Sequence, residues 1–216
     1  MTRRHLYRTA LRIIGSEGYE NTTLRHIAKD AQVSPGLLYK YFPSKRSVVL
    51  ALYDDLSHQY ATEAEVLPQG KWTARFLFAL KTSLRVLGPE RSTLSALIPI
   101  LVNTGNEGLF SPATEFSRKR VQAVFAKAVY ASANPPKNND AIALSRVLYF
   151  LHLAVILWWL LDKSPQQRAT RSLLVILEIA LPLASIALKS KKVRSILNEG
   201  DVLIGDAFLG SAQESA

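Results

Sequence analysis

The most reactive-looking side chains of this 216-residue chain are cations and hydroxyls gathered at its amino-terminal end. Residues 1–50 hold nine Lys and Arg against three Asp and Glu, a net +6, whereas the remaining residues hold 18 against 14, a net +4. Interleaved with those cations are Thr23, Ser34, Tyr39, Tyr41 and Ser44. Such a set neutralises and hydrogen-bonds an anion, either nucleic acid or an acidic membrane surface. Bond-making chemistry has no comparable support: there is no nucleophile–base pair, no phosphate-cradling glycine loop and no paired carboxylates, so no enzymatic activity is expected. With no cysteine, disulfides and thiolate metal sites are excluded, and a reducing cytoplasm is the expected compartment. The four histidines (His5, His26, His58, His152) lie far apart, so neither a metal nor another cofactor is expected.

The elements that would carry the cationic set are short helices with clear boundaries. Helical periodicity dominates the whole chain and strand-like alternation is missing, so the fold class is all-α. A first helix over 2–17 places Leu6, Ala10, Ile13 and Ile14 on one face and stops at Gly18. Thr23 caps a second whose Leu24, Ile27 and Ala28 share a face. Ser34 caps a third, with Pro35 at its first position, where a missing N–H costs nothing. Leu38 and Phe42 of that helix point inward, Pro43 ends it, and Ser44 caps a long fourth helix reaching about Ala64. Two short helices, joined by a tight turn on a small apolar core, make a helix-turn-helix. Its second helix can enter the major groove with its first residues against base edges.

This segment resembles the DNA-binding domain of TetR-family transcriptional regulators. The likeness rests on Gly18-Tyr19, Thr22-Thr23, Ile27-Ala28, Ala31, Val33-Ser34, Gly36, Leu38-Tyr39, Tyr41-Phe42 and Ser44-Lys45, over about residues 3–56. The resemblance implies DNA-binding roles. Leu37 and Lys40 face the bases, Leu37 suiting a thymine methyl and Lys40 a guanine edge or a phosphate. Pro35 and Gly36 allow close approach of the helix start, and Arg25 reaches a base or phosphate. Thr23, Tyr39 and Lys45 anchor phosphates, with Tyr41 assisting. One departure is Gln32, where glycine is frequent; a positive φ there would cost about 1 kcal/mol.

For the remaining chain the resemblance implies a helical ligand-binding and dimerisation bundle behind a three-helix DNA-binding domain, with domains at 1–46 and 47–216. Helices are expected over 72–87, 92–103, 112–131, 140–161 and 166–188, with a weaker tail after Lys189. Phe76, Leu101, Asn103, Phe110, Phe125, Tyr149 and His152, with Asn106, are candidates to line a pocket for a small apolar ligand, neutral or anionic. Two intensely apolar runs, 147–161 and 172–188, read as buried helices too short to span a bilayer. Adjacent Trp158 and Trp159 cannot both face one core. Ala154, Trp158 and Ile179 are therefore expected at a homodimer interface. The expectation is a repressor of palindromic operator DNA, released by ligand, with no membrane partner. The rival is a membrane-associated helical protein with a basic amino-terminal region.

Overall fold

The computed structural model describes residues 3–103 and 108–209, and no strand occurs among them. Eleven α-helices follow in order: α1 (Arg3–Glu17), α2 (Leu24–Asp30), α3 (Pro35–Tyr41), α4 (Lys45–Glu63), α5 (Trp72–Leu87), α6 (Arg91–Ala96), α7 (Ile98–Leu101), α8 (Glu115–Tyr130), α9 (Asn138–Leu161), α10 (Arg168–Ala187) and α11 (Lys191–Ile204). The helix expected over 92–103 is in fact two, α6 and α7. Leu97 ends the first and Pro99 opens the second, where its missing N–H is harmless. The tail is more ordered than expected and forms α11.

Two compact units divide the described chain. The first comprises residues up to Gln59 together with Arg85–Arg118; the second comprises Tyr60–Leu84 and residues from Lys119 onward. The boundary expected at 46/47 falls inside the first unit, which also takes in a later segment, Arg85–Arg118. The reason is α6, which lies against α1 through a hydrogen bond from Thr93 Oγ1 to the Leu11 carbonyl (3.2 Å). Gly15 permits that approach, since a Cβ there would sit 3.0 Å from Ser92 Oγ. Leu6, Ala10, Ile13 and Ile14 form the buried face of α1, and Gly18, at φ 89°, ends the helix.

In the second unit, Phe76, Leu80, Phe125 and Tyr149 are fully buried. Arg75, 3% exposed, donates to the Pro68 carbonyl and, at the end of α8, to the carbonyls of Lys127 and Ala128. Between α9 and α10 the Asp162 carboxylate accepts from the N–H and hydroxyl of both Ser164 and Thr170 at 2.6–2.9 Å. Those bonds, Ser164 foremost, hold its carboxyl well below the usual carboxylate range. α11 rests on α9 through Arg194–Asp140 (3.2 Å), Asn198–Asp140 (2.8 Å) and Arg146–Asp201 (3.1 Å).

The reading of the two apolar runs needs correction. Polar first turns extend the helices to 24 residues in α9 and 20 in α10, so by length and composition both suffice to cross a membrane. Nor are they buried throughout. Only 11% of the apolar window of α10 is buried within the single chain, because Val175, Ile176, Ile179, Leu183 and Ile186 all face solvent.

Candidate nucleic-acid interface

The helix-turn-helix forms as its caps dictate. Thr23 Oγ1 accepts the His26 N–H (3.1 Å), opening α2 in the expected place. The turn closes with the Gln32 N–H on the Lys29 carbonyl (3.1 Å) and the Val33 N–H on the Ala28 carbonyl (2.9 Å). Gln32 takes φ 55°, the left-handed conformation that glycine adopts freely. Ser34 Oγ then accepts the Leu37 N–H (3.3 Å) with Pro35 in the first turn of α3. At the start of α4, Ser44 and Ser47 cap each other: each hydroxyl oxygen accepts the other's backbone N–H, at 3.1 and 3.3 Å.

Ile27, Ala28, Leu38 and Phe42 are buried and fix α2 and α3 together. The other side of α3 is thereby turned outward. Arg25, Pro35, Gly36, Tyr39 and Lys40 are exposed, and Leu37 and Tyr41 are half-buried. Nothing lies within 4 Å of a Cβ built on Gly36, so the start of α3 is open to an approaching surface. Thr23 is also exposed; its oxygen serves the cap, which leaves its O–H free to donate.

Lys45 is placed differently from the other anchors. Its ammonium donates to the Tyr19 carbonyl (2.7 Å) and lies 4.3 Å from the centre of the Tyr19 ring. A cation in the first turn of a helix faces the positive end of the dipole, and Tyr19 offsets that penalty. The sequence marked Tyr19 only as part of a pattern; its partnership with Lys45, 26 positions away, has no local signal. Arg3 is likewise engaged, over the Phe42 ring at 5.1 Å. An ion pair between Arg12 and Asp30 links α1 to α2.

The pocket candidates are divided between the two units. Phe76, Phe125, Tyr149 and His152 come together in the second unit, with ring centres 5.7 Å apart for Phe76–Phe125, 6.4 Å for Phe125–Tyr149 and 4.8 Å for Phe125–His152. Leu101, Asn103 and Phe110 belong to the first unit, where Leu101 and Phe110 are half-buried and Asn103 is exposed. Asn106 lies outside the described residues. The expected interface residues Ala154, Trp158 and Ile179 are all exposed. Trp159 instead turns inward, donating from Nε1 to Gln167 Oε1 (2.8 Å). Elsewhere in the second unit a groove of about 860 Å³ carries Lys71, Lys137, Lys189 and Arg194 on its walls. Among the described residues no group of His, Asp and Glu is arranged to hold a metal ion.

A capped two-helix motif, with its second helix offering a small-residue start, a tyrosine and a lysine to solvent, defines a helix-turn-helix DNA-binding fold. Residues 6–52 match the family described as bacterial regulatory proteins, tetR family. Over 70 residues the chain is 34% identical to the HTH-type transcriptional regulator TcmR of Streptomyces glaucescens, covering 32% of this chain and 31% of that one. Over 74 residues it is 31% identical to the fatty acid metabolism regulator protein of Bacillus subtilis, covering 34% and 38%. The matched segments thus span about a third of these relatives' lengths. In fold, the likeness runs much further. The TetR transcriptional regulator of Nitrosomonas europaea superposes over 82% of this chain and 96% of its own (TM-score 0.63, 20% identity). Bacillus subtilis FadR, solved in complex with stearoyl-CoA, superposes over 82% and 97% (TM-score 0.66, 16% identity). The amino-terminal segment, residues 6–52, is thus similar in sequence to the TetR family of bacterial regulatory proteins, and the whole chain is similar to such regulators in fold.

Proposed function

We propose that the protein is a transcriptional repressor that grips a near-palindromic operator as a homodimer and is released by a small ligand. The observation that carries the reading is the outward face of α3. Pro35, Gly36, Tyr39 and Lys40 are exposed beside Arg25 while Leu38 anchors the opposite side. In this reading Leu37 and Lys40 face base edges, Pro35 and Gly36 bring the backbone close, and Thr23, Arg25, Tyr39, Tyr41 and Lys45 hold phosphates. Lys45 uses one of its three N–H donors on Tyr19, which aims the others.

The second copy docks on α9 and α10, where Ala154, Trp158 and Ile179 are exposed in the single chain. Symmetry then sets the two α3 helices against half-sites about one helical turn (~34–36 Å) apart. The ligand site is the ring cluster of Phe76, Phe125, Tyr149 and His152. FadR, with a related fold, holds stearoyl-CoA. A ligand that prefers one spacing of the α3 helices shifts the dimer away from the operator, and operator DNA weakens the ligand by the same factor.

Fluorescence anisotropy on genomic fragments selected by the protein tests the DNA reading. Affinity should differ strongly between fragments and fall steeply with salt as phosphate contacts release counterions. Equal affinity for every duplex would refute sequence-specific binding.

A further inference from the structure

His152 is embedded in an apolar helix, 2% exposed, yet only one of its nitrogens is used. Nε2 lies 2.8 Å from Ser83 Oγ, while Nδ1 is buried with no hydrogen-bond partner. The hydroxyl of Tyr60, also 2% exposed, is buried and unpartnered as well. The two rings stack at 5.9 Å and 12°, with Phe125 tilted 4.8 Å from the imidazole and Tyr149 at 6.4 Å. Packing alone does not account for two idle polar atoms, since Phe at both positions would fill the space without them. We infer that this ring cluster is a recognition site for a small neutral molecule, aromatic or otherwise flat, that carries a hydroxyl. The inference deepens the ligand-responsive reading above and rests on it only for the consequence to DNA.

The chemistry of the cluster selects that class. The partners of His152 are Ser83, Tyr60, Phe125 and Tyr149, all uncharged. Burial pushes the imidazole down to about 3, so it is neutral at physiological pH and offers an anion no counter-charge. Arg75, a buried cation of this unit, directs three of its five N–H donors to carbonyls away from these rings. A purely apolar ligand would leave the two polar atoms idle. A hydroxyl both donates and accepts, so it answers Nδ1 in either tautomer: as donor when Nε2 holds the proton, as acceptor when Nδ1 does. The same hydroxyl-bearing class suits Tyr60, which also both donates and accepts.

Calorimetric titration of the full chain, without DNA, with phenol, toluene and benzoate tests the inference. Phenol is expected to bind at least about tenfold more tightly than toluene, with no binding by benzoate. Tyr60→Phe should bring phenol down to the toluene level while leaving the ligand-free melting temperature unchanged or higher. His152→Phe, read by the phenol-to-toluene ratio alone because it also removes the partner of Ser83, serves if Tyr60→Phe does not fold. No phenol binding, equal binding of phenol and toluene, or benzoate binding as tight as phenol overturns the inference. So does a ligand-free Tyr60→Phe protein that melts several degrees lower, which would show the hydroxyl already satisfied in the native state. Operator affinity measured with saturating phenol is a separate readout: if it is unchanged, the site stands and the release mechanism falls.

Discussion

Replacing Ile179 by Asp asks whether α10 is a protein interface. Val175, Ile176, Ile179, Leu183 and Ile186 are between 54% and 65% exposed in the single chain. Full burial of such a side chain contributes about 1.5–3 kcal/mol, so completing the burial of each is worth roughly 1–2 kcal/mol. Five of them give about 5–10 kcal/mol per protomer, and twofold symmetry doubles that to about 10–20. Association costs on the order of 4–15 kcal/mol, so this stripe alone is of the size a dimer needs. Ile179→Asp in both protomers removes about 2–4 kcal/mol of burial, and it forces two carboxylates out of water at several kcal/mol each. Dimerisation should weaken by more than about a thousandfold. Because Ile179 contributes little to the core of its own chain, helicity by circular dichroism should not change. Sedimentation velocity at micromolar concentration reads the result: a dimer for the wild type and the 24.0 kDa monomer for the variant. A variant that still sediments as a dimer, or a wild type that is already monomeric, refutes the argument.

At the DNA interface, Leu37→Ala should relax preference at one base step by roughly 1 kcal/mol, whereas Tyr39→Phe should weaken all duplexes about equally; competition gel shifts separate the two. Ser34→Ala removes the cap on the Leu37 N–H and should cost about 1 kcal/mol, lowering both the melting temperature and operator affinity. Asp162→Asn should destabilise the α9–α10 connection at neutral pH, since the carboxylate accepts four hydrogen bonds there. Folding depresses the pKa of this group, so its contribution is present above the ordinary carboxylate range and is lost as pH falls toward the depressed value. Denaturant melts should therefore show the gap between wild type and variant narrowing in strong acid.

The amino-terminal domain was legible because its signals are local. Thr23, Ser34-Pro35 and Ser44 act on backbone groups two or three residues away, and the period of Ile27, Leu38 and Phe42 states which faces are buried. For Gln32 the sequence raised a left-handed conformation only as a condition, and the structure has it at φ 55°. What only the tertiary structure decided are pairings between residues far apart in sequence. Lys45 meets Tyr19 across 26 positions and Thr93 meets Leu11 across 82, and the latter draws α6 into the first unit. The pocket candidates illustrate the same limit. Periodicity marks Phe76, Leu101, Phe110 and Phe125 alike as apolar faces, but only packing sends Phe76 and Phe125 to one cluster and the other two to another unit. Apolar content likewise led α10 to be read as buried, whereas its stripe is bare in one chain: composition records that a face must leave water, while which surface covers it depends on three-dimensional placement and on the partner.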